Sequence, residues 1–104
     1  MAAFLRAINA LENIRESEGL LALSANLKPQ AADREIKRAV AEIGDSIDVL
    51  KAGGLSPDAV AHLGEAKRLA KKAVGRFFAS SRRNLTRQAI AELEKARAEL
   101  VETS

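Results

Sequence analysis

Residues 34–60 read REIKRAVAEIGDSIDVLKAGGLSPDAV and show most clearly how the chain folds. Apolar residues recur in them at alternating spacings of four and three, which predicts one narrow apolar seam along an α-helix. These residues are Ile36, Val40, Ile43, Ile47 and Leu50. We expect the helix to span residues 29–52, because Pro29 suits a first helical turn and Gly53-Gly54 suits the left-handed conformation that ends a helix.

The same stretch contains the start of a further helix, at Ser56-Pro57-Asp58. A serine hydroxyl caps a helix, proline suits the first helical position, and an acid in the first turn complements the helix dipole. The inward face of this helix is expected to carry Val60, Leu63, Ala70, Val74 and Phe77. We then expect a polar, basic loop over residues 80–84 and a last helix over residues 86–102.

The N-terminal segment, residues 3–27, is also expected to be helical, but its apolar pattern slips. One face carries Phe4, Ile8, Leu11 and Ile14, and another carries Leu20, Leu23 and Leu27. Gly19 lies between the two sets, and glycine weakens a helix interior by about 1 kcal/mol. We therefore expect a kink or a short break near Ser17–Gly19, which leaves open whether residues 17–28 form one helix or two.

Short connections favour antiparallel neighbours, so the sequence predicts one all-α domain over residues 1–104, a small antiparallel four-helix bundle. The predicted seams are narrow and bury less area than a broad apolar face. A homodimer that completes the core and a monomer therefore both remain open. No internal repeat is evident in the sequence.

Composition argues against most kinds of catalysis. The 104 residues include no cysteine and a single histidine, His62, which excludes a thiolate zinc site and makes a transition-metal site unexpected. There is no glycine-rich phosphate loop or nucleophile motif. We expect a non-enzymatic protein without cofactor or metal. With no apolar run of about 18–20 residues, and with Arg6 and Glu12 interrupting the N-terminal segment, we expect a cytoplasmic location.

Charge is distributed unevenly along the chain. Eight cations and no acid lie between Ala66 and Ala91, whereas the rest of the sequence has nine cations and fourteen acids. Such a segment is typical of a surface that binds phosphates, an anionic membrane or an acidic protein. The residues expected to contact an anionic partner are Lys67, Lys71, Lys72, Arg76, Arg82, Arg83 and Arg87, with Phe78 as an apolar anchor.

An alternative is that these cations form a solvated face, or complement acids in the fold or in a second copy. Cations near the end of a helix stabilise its dipole, which explains Lys71 and Lys72 but not Arg83 and Arg87. For the aromatic pair we expect Phe77 on the inward face, with Phe78 at its edge, capping the bundle or lining an oligomer contact. The other interpretation is that both rest on an anionic bilayer.

Three functional hypotheses follow. The first is an interaction module whose basic surface, at the hairpin of the third and fourth helices, binds another macromolecule, most often a protein or a second copy. The second is a DNA- or RNA-binding regulator that uses the same surface. The third is a histidine phosphotransfer protein acting through His62, although such domains usually have lysine and glycine where this chain has Glu65 and Ala66.

Overall fold

The computed structural model describes residues 2–103, and the side chains of residues 4–101. Four helices make up the described chain: α1 (Ala2–Ser24), α2 (Pro29–Ala52), α3 (Pro57–Ala73) and α4 (Ala79–Thr103). They pack as an antiparallel four-helix bundle, so the predicted fold class is confirmed. None of the described helices is long and apolar enough to cross a bilayer.

α1 runs without interruption from Ala2 to Ser24, so the predicted short break near Ser17–Gly19 is wrong. An added Cβ on Gly19 would meet no atom within 4 Å, so the glycine lies on the open side of the helix. The slip in the apolar pattern has another cause: both Leu20 and Leu21 are buried, which broadens the inward face of the helix. α1 ends at Ser24, and residues 25–27 form a turn.

The two ends around residues 53–56 were predicted correctly because their signals are local. Gly54 has a φ of +62°, and the N–H of Leu55 donates to the carbonyl of Leu50 at 2.9 Å, which together make a Schellman motif. Ser56 then caps α3, because its hydroxyl accepts from the N–H of Ala59 at 3.3 Å.

The end of α3 and the start of α4 were predicted wrongly. α3 stops at Ala73, Gly75 takes a φ of +78°, and α4 begins at Ala79. The segment 80–84, expected to be a loop, is therefore helical. Glycine at a positive φ supplies the stop that the sequence interpretation overlooked.

The core positions of α2 alternate small and large side chains. In α2 the fully buried positions are Ala32, Ile36, Ala39, Ile43, Ser46 and Leu50. The predicted seam was wrong by one residue at two positions. Ala39 and Ser46 are the buried residues there, and the predicted Val40 and Ile47 are only partly buried. Small residues facing large ones let the helices interdigitate closely.

The burial pattern repeats between the two helical hairpins, contrary to the expectation that no repeat is present. Every buried residue from Ala10 to Ser24 recurs as a buried residue 49 positions later, and every one from Ala32 to Leu50 recurs 50 positions later. The sequences themselves are visibly alike only around residues 39–43 (AVAEI) and 89–93 (AIAEL). We call α1–α2 the first hairpin and α3–α4 the second hairpin.

Candidate anion-binding surface

The turns of the two hairpins, residues 25–28 and 74–78, lie at the same end of a bundle that measures 44 × 17 × 17 Å. Gly75 N–H donates to the Asp33 carboxylate at 3.1 Å, which joins the second turn to the start of α2. Arg82 contacts the backbone of both turns. We call this end the tip.

Charge is segregated along the long axis of the bundle. The middle is marked by the Ser17 hydroxyl, 3.5 Å from the carbonyl of Ala39. The half that contains the tip, residues 17–39 and 66–89, has twelve lysines and arginines against three acids. The remaining sequence has five cations against eleven acids. We call these the basic half and the acidic half; the antiparallel topology adds Lys28, Arg34, Lys37 and Arg38 to the predicted basic segment.

Five of the seven predicted cations are exposed in the basic half, close to the tip. Lys71 and Lys72 lie in the last turn of α3, Arg76 lies in the turn, and Arg83 and Arg87 lie in the first turns of α4. Arg76 folds back, its Nε donating to the carbonyl of Lys72 at 2.9 Å. These five side chains are available to an anionic partner.

Lys67 lies further from the tip than the other predicted cations. Its ammonium rests against α2, where an added Cβ on Gly44 would be 3.4 Å from Nζ. The absence of a side chain at Gly44 thus leaves room for the lysine stem along the seam between α2 and α3. Lys67 is half-buried there rather than projecting into solvent.

Arg82 is not a surface cation, so its predicted role as a contact for an external partner is wrong. It is 2% exposed, because α4 begins earlier than expected and turns this position inward. Its Nη1 and Nη2 donate to the carbonyls of Arg76 and Leu27, both at 3.5 Å. The repeat of the burial pattern is consistent with this position, since the equivalent residue of the first hairpin is the buried Ala32.

Phe77 and Phe78 are both exposed at the tip. Phe77 is 86% exposed, so the prediction that it faces inward is wrong, and Phe78 is 70% exposed. Because α3 ends at Ala73, the pair lies in the turn rather than on a helix face. The rings meet edge to face, with centroids 5.3 Å apart and an interplanar angle of 87°.

A shallow groove between α1 and α4 adjoins the tip. It has a volume of about 130 Å³ and an apolar floor that includes Leu21, Ala25 and Ile90. Arg83 and Arg87 line its α4 side. The groove therefore places two of the exposed cations beside a small apolar depression.

His62 lies away from the tip, near the middle of the second hairpin. Its Nδ1 is 2.8 Å from Oε2 of Glu92, and Lys95 donates to the same carboxylate at 3.3 Å. The hydrogen bond with His62, followed by that with Lys95, lowers the pKa of Glu92 despite partial burial. The pair joins α3 to α4; a phosphotransfer role for His62 stays a prediction.

An ion pair also joins α1 to α4. Nε of Arg97 is 3.1 Å from Oε2 of Glu18, and Nη2 donates to Oε1 at 3.2 Å. Burial, together with the charge of Glu94, raises the pKa of Glu18, although Arg97 opposes this shift. Within the described part of the chain, no three His, Cys, Asp or Glu side chains come together as a metal site.

Comparison of the chain with protein-family models, with curated proteins and with solved structures gave no significant match.

Proposed function

We propose that this protein is a non-enzymatic interaction module that docks, basic half first, on the anionic surface of another macromolecule or of a larger assembly. The observation that supports this is the segregation of charge along the bundle, twelve cations against three acids in one half and five against eleven in the other. A surface that only kept the domain solvated would mix both signs.

Segregated charge has a physical consequence for association. A bundle with a positive end and a negative end orients in the field of an anionic partner before contact, which raises the association rate. At physiological ionic strength the screening length is about 8 Å, so the attraction acts over short distances and weakens with added salt. The exposed cations that supply it at the tip are Lys71, Lys72, Arg76, Arg83 and Arg87.

Salt-dependent binding of a polyanion tests the proposal. We would measure the retention of the protein on a sulfated polysaccharide, and its affinity for duplex DNA at low and moderate salt. The Arg83→Glu, Arg87→Glu variant should lose at least tenfold in affinity for the polyanion. A steep salt dependence for DNA in particular, with affinity well above that for the polysaccharide, would instead favour the nucleic-acid hypothesis.

The matched control reverses two exposed cations of the acidic half, Arg15→Glu and Lys51→Glu, with an identical change in net charge. We expect this control to bind within about threefold of the wild type, since its substitutions lie away from the tip. Equal losses in both variants would show that net charge alone controls binding, and the proposal would be wrong. Circular dichroism checks that both remain helical.

Self-association is a further proposal with its own measurement. The acidic half of one copy is complementary in charge to the basic half of another, and the narrow seams leave open a homodimer that completes the apolar core. Sedimentation of the wild type at low and high salt distinguishes association through charge from association through an apolar core. Dimers held by charge dissociate at high salt, whereas dimers that complete an apolar core persist.

A further inference from the structure

The two phenylalanines at the tip identify the kind of anionic surface. We propose that the tip binds an anionic lipid bilayer end-on, with Phe77 and Phe78 inserted at the interface between headgroups and acyl chains. This inference rests on the proposed function, because the surrounding cations must first bring the tip to the membrane.

The exposure of the aromatic pair supports an apolar environment in the bound state. Phe77 and Phe78 are 86% and 70% exposed and contact one another instead of the core. The corresponding turn of the first hairpin has Leu27 and Lys28 and no aromatic residue. A hairpin of this kind therefore folds without aromatic residues in its turn. Large apolar side chains that cluster at the surface often mark a binding site.

Exposed cations lie close to the pair in the chain and in the neighbouring turn. Lys72 and Arg76 precede it, Arg83 follows one turn into α4, and Lys28 lies in the neighbouring turn. Asp33, an acid near this turn, accepts a hydrogen bond from Gly75 N–H. Peripheral proteins recognise anionic leaflets through clustered lysine and arginine beside apolar side chains that insert into the interface.

The size and shape of the tip favour a bilayer over a protein. The tip is the narrow end of a bundle that measures 44 × 17 × 17 Å. The rings stand on a turn, where a bilayer needs no complementary pocket to receive them. Their perpendicular arrangement is also unlike the open ring faces on which successive nucleic-acid bases stack.

Co-sedimentation of the full chain with lipid vesicles tests the inference. One set of vesicles is phosphatidylcholine alone and the other contains about a third phosphatidylserine. We expect binding only to the anionic vesicles, and a loss of about thirtyfold or more in the Phe77→Ser, Phe78→Ser variant, since burying one phenylalanine is worth roughly tenfold or more in affinity. The same variant should keep wild-type retention on the sulfated polysaccharide.

The matched control is Phe4→Ser, Leu5→Ser, an adjacent pair that is also exposed but lies at the opposite end of the bundle. This control should bind anionic vesicles like the wild type. The inference would be overturned if the Phe77→Ser, Phe78→Ser variant bound anionic vesicles as well as the wild type. It would also be overturned if this variant and the control lost the same amount of affinity for the vesicles. If the wild type binds the polysaccharide but no vesicle, the membrane inference fails and the proposed function stands; if it binds neither, both fail.

Insertion itself has a direct spectroscopic readout. The chain contains no tryptophan, so the Phe77→Trp variant reports from one known position. Its emission should shift to shorter wavelength on addition of anionic vesicles and stay unchanged with phosphatidylcholine alone. An unchanged emission while the protein co-sediments would mean that the rings stay in water, and would overturn insertion.

Discussion

The two hairpins share a buried pattern but differ in net charge and in the residues of their turns. Equivalent positions face the core in both, at offsets of 49 and 50 residues. Residues 1–52 have seven cations and eight acids, whereas residues 53–104 have ten cations and six acids. Only the second hairpin has an aromatic turn. The comparison separates two requirements: alternating small and large core residues specify the hairpin, and the remaining positions are free to carry binding properties.

The shared pattern is not uniformly apolar. Near the tip, the first hairpin buries Ala32 and Ile36, whereas the second buries Arg82 and Thr86. Nε of Arg82 lies buried without a hydrogen-bond partner, and the other two guanidinium nitrogens hold backbone carbonyls of both turns. The second hairpin thus stabilises its end of the core with polar contacts where the first uses packing.

The largest expected effect tests whether the hairpins are equivalent in the core. Ile43 and Leu93 occupy equivalent positions and are fully buried. Ile43→Ala and Leu93→Ala should each lower the free energy of unfolding by about 2–5 kcal/mol, through lost burial and the cavity left behind. Denaturant unfolding measures both. If the two losses in the free energy of unfolding differed by more than about 2 kcal/mol, the two positions would not be equivalent in the core.

Arg82 sharpens the difference between the hairpins. Arg82→Ala removes the buried stem and both hydrogen bonds, and should lower the free energy of unfolding by about 2 kcal/mol. Arg82→Met keeps most of the stem packing and removes the desolvation of a buried charge, so we expect a loss below about 1 kcal/mol. Thermal unfolding of the two variants compares them. A loss in Arg82→Met as large as that in Arg82→Ala would show that the hydrogen bonds to the turns contribute more to stability than the packing of the stem.

The smallest effects concern two equivalent carboxylates with opposite shifts. The hydrogen bond with His62 lowers the pKa of Glu92, whereas burial, then Glu16 and Asp45, raises the pKa of Glu42. Ionised Glu92 therefore stabilises the fold above its unfolded pKa, and this contribution is lost as pH falls through its folded pKa. Ionised Glu42 opposes folding, and stability is gained as pH falls through its raised pKa.

The opposite pKa shifts of the two carboxyls predict opposite effects of replacing each with glutamine. Glu92→Gln should lower the free energy of unfolding by about 1 kcal/mol at pH 7, while Glu42→Gln should raise it by about 0.3 kcal/mol. At pH 3 the effect of Glu42→Gln should vanish, because the raised pKa of Glu42 leaves that carboxyl protonated. The effect of Glu92→Gln should become smaller than at pH 7, because the contribution of ionised Glu92 is lost as pH falls through its lowered pKa. Urea unfolding at the two pH values measures this. Effects of the same sign at pH 7 would contradict the opposite environments of the two residues.

Part of the candidate site could be predicted because charge is visible in a sequence. Lys71, Lys72, Arg83 and Arg87 were expected at the surface and are exposed there. Arg82 and Phe77 were assigned to the wrong environments for one shared reason. A glycine at a positive φ ended α3 early, which put Phe77 in a turn and moved the start of α4 so that Arg82 faces inward.

Local sequence was sufficient for the helical class, for the antiparallel order and for the ends at Gly54 and Ser56, because each depends on interactions within a few residues. The register of the buried seam, the repeat and the charge segregation required the tertiary structure. Whether Ala39 or Val40 faces the core depends on how closely the neighbouring helices approach. The charges of α2 and α4, about 50 residues apart in the chain, become one basic half only when both turns meet at the same end.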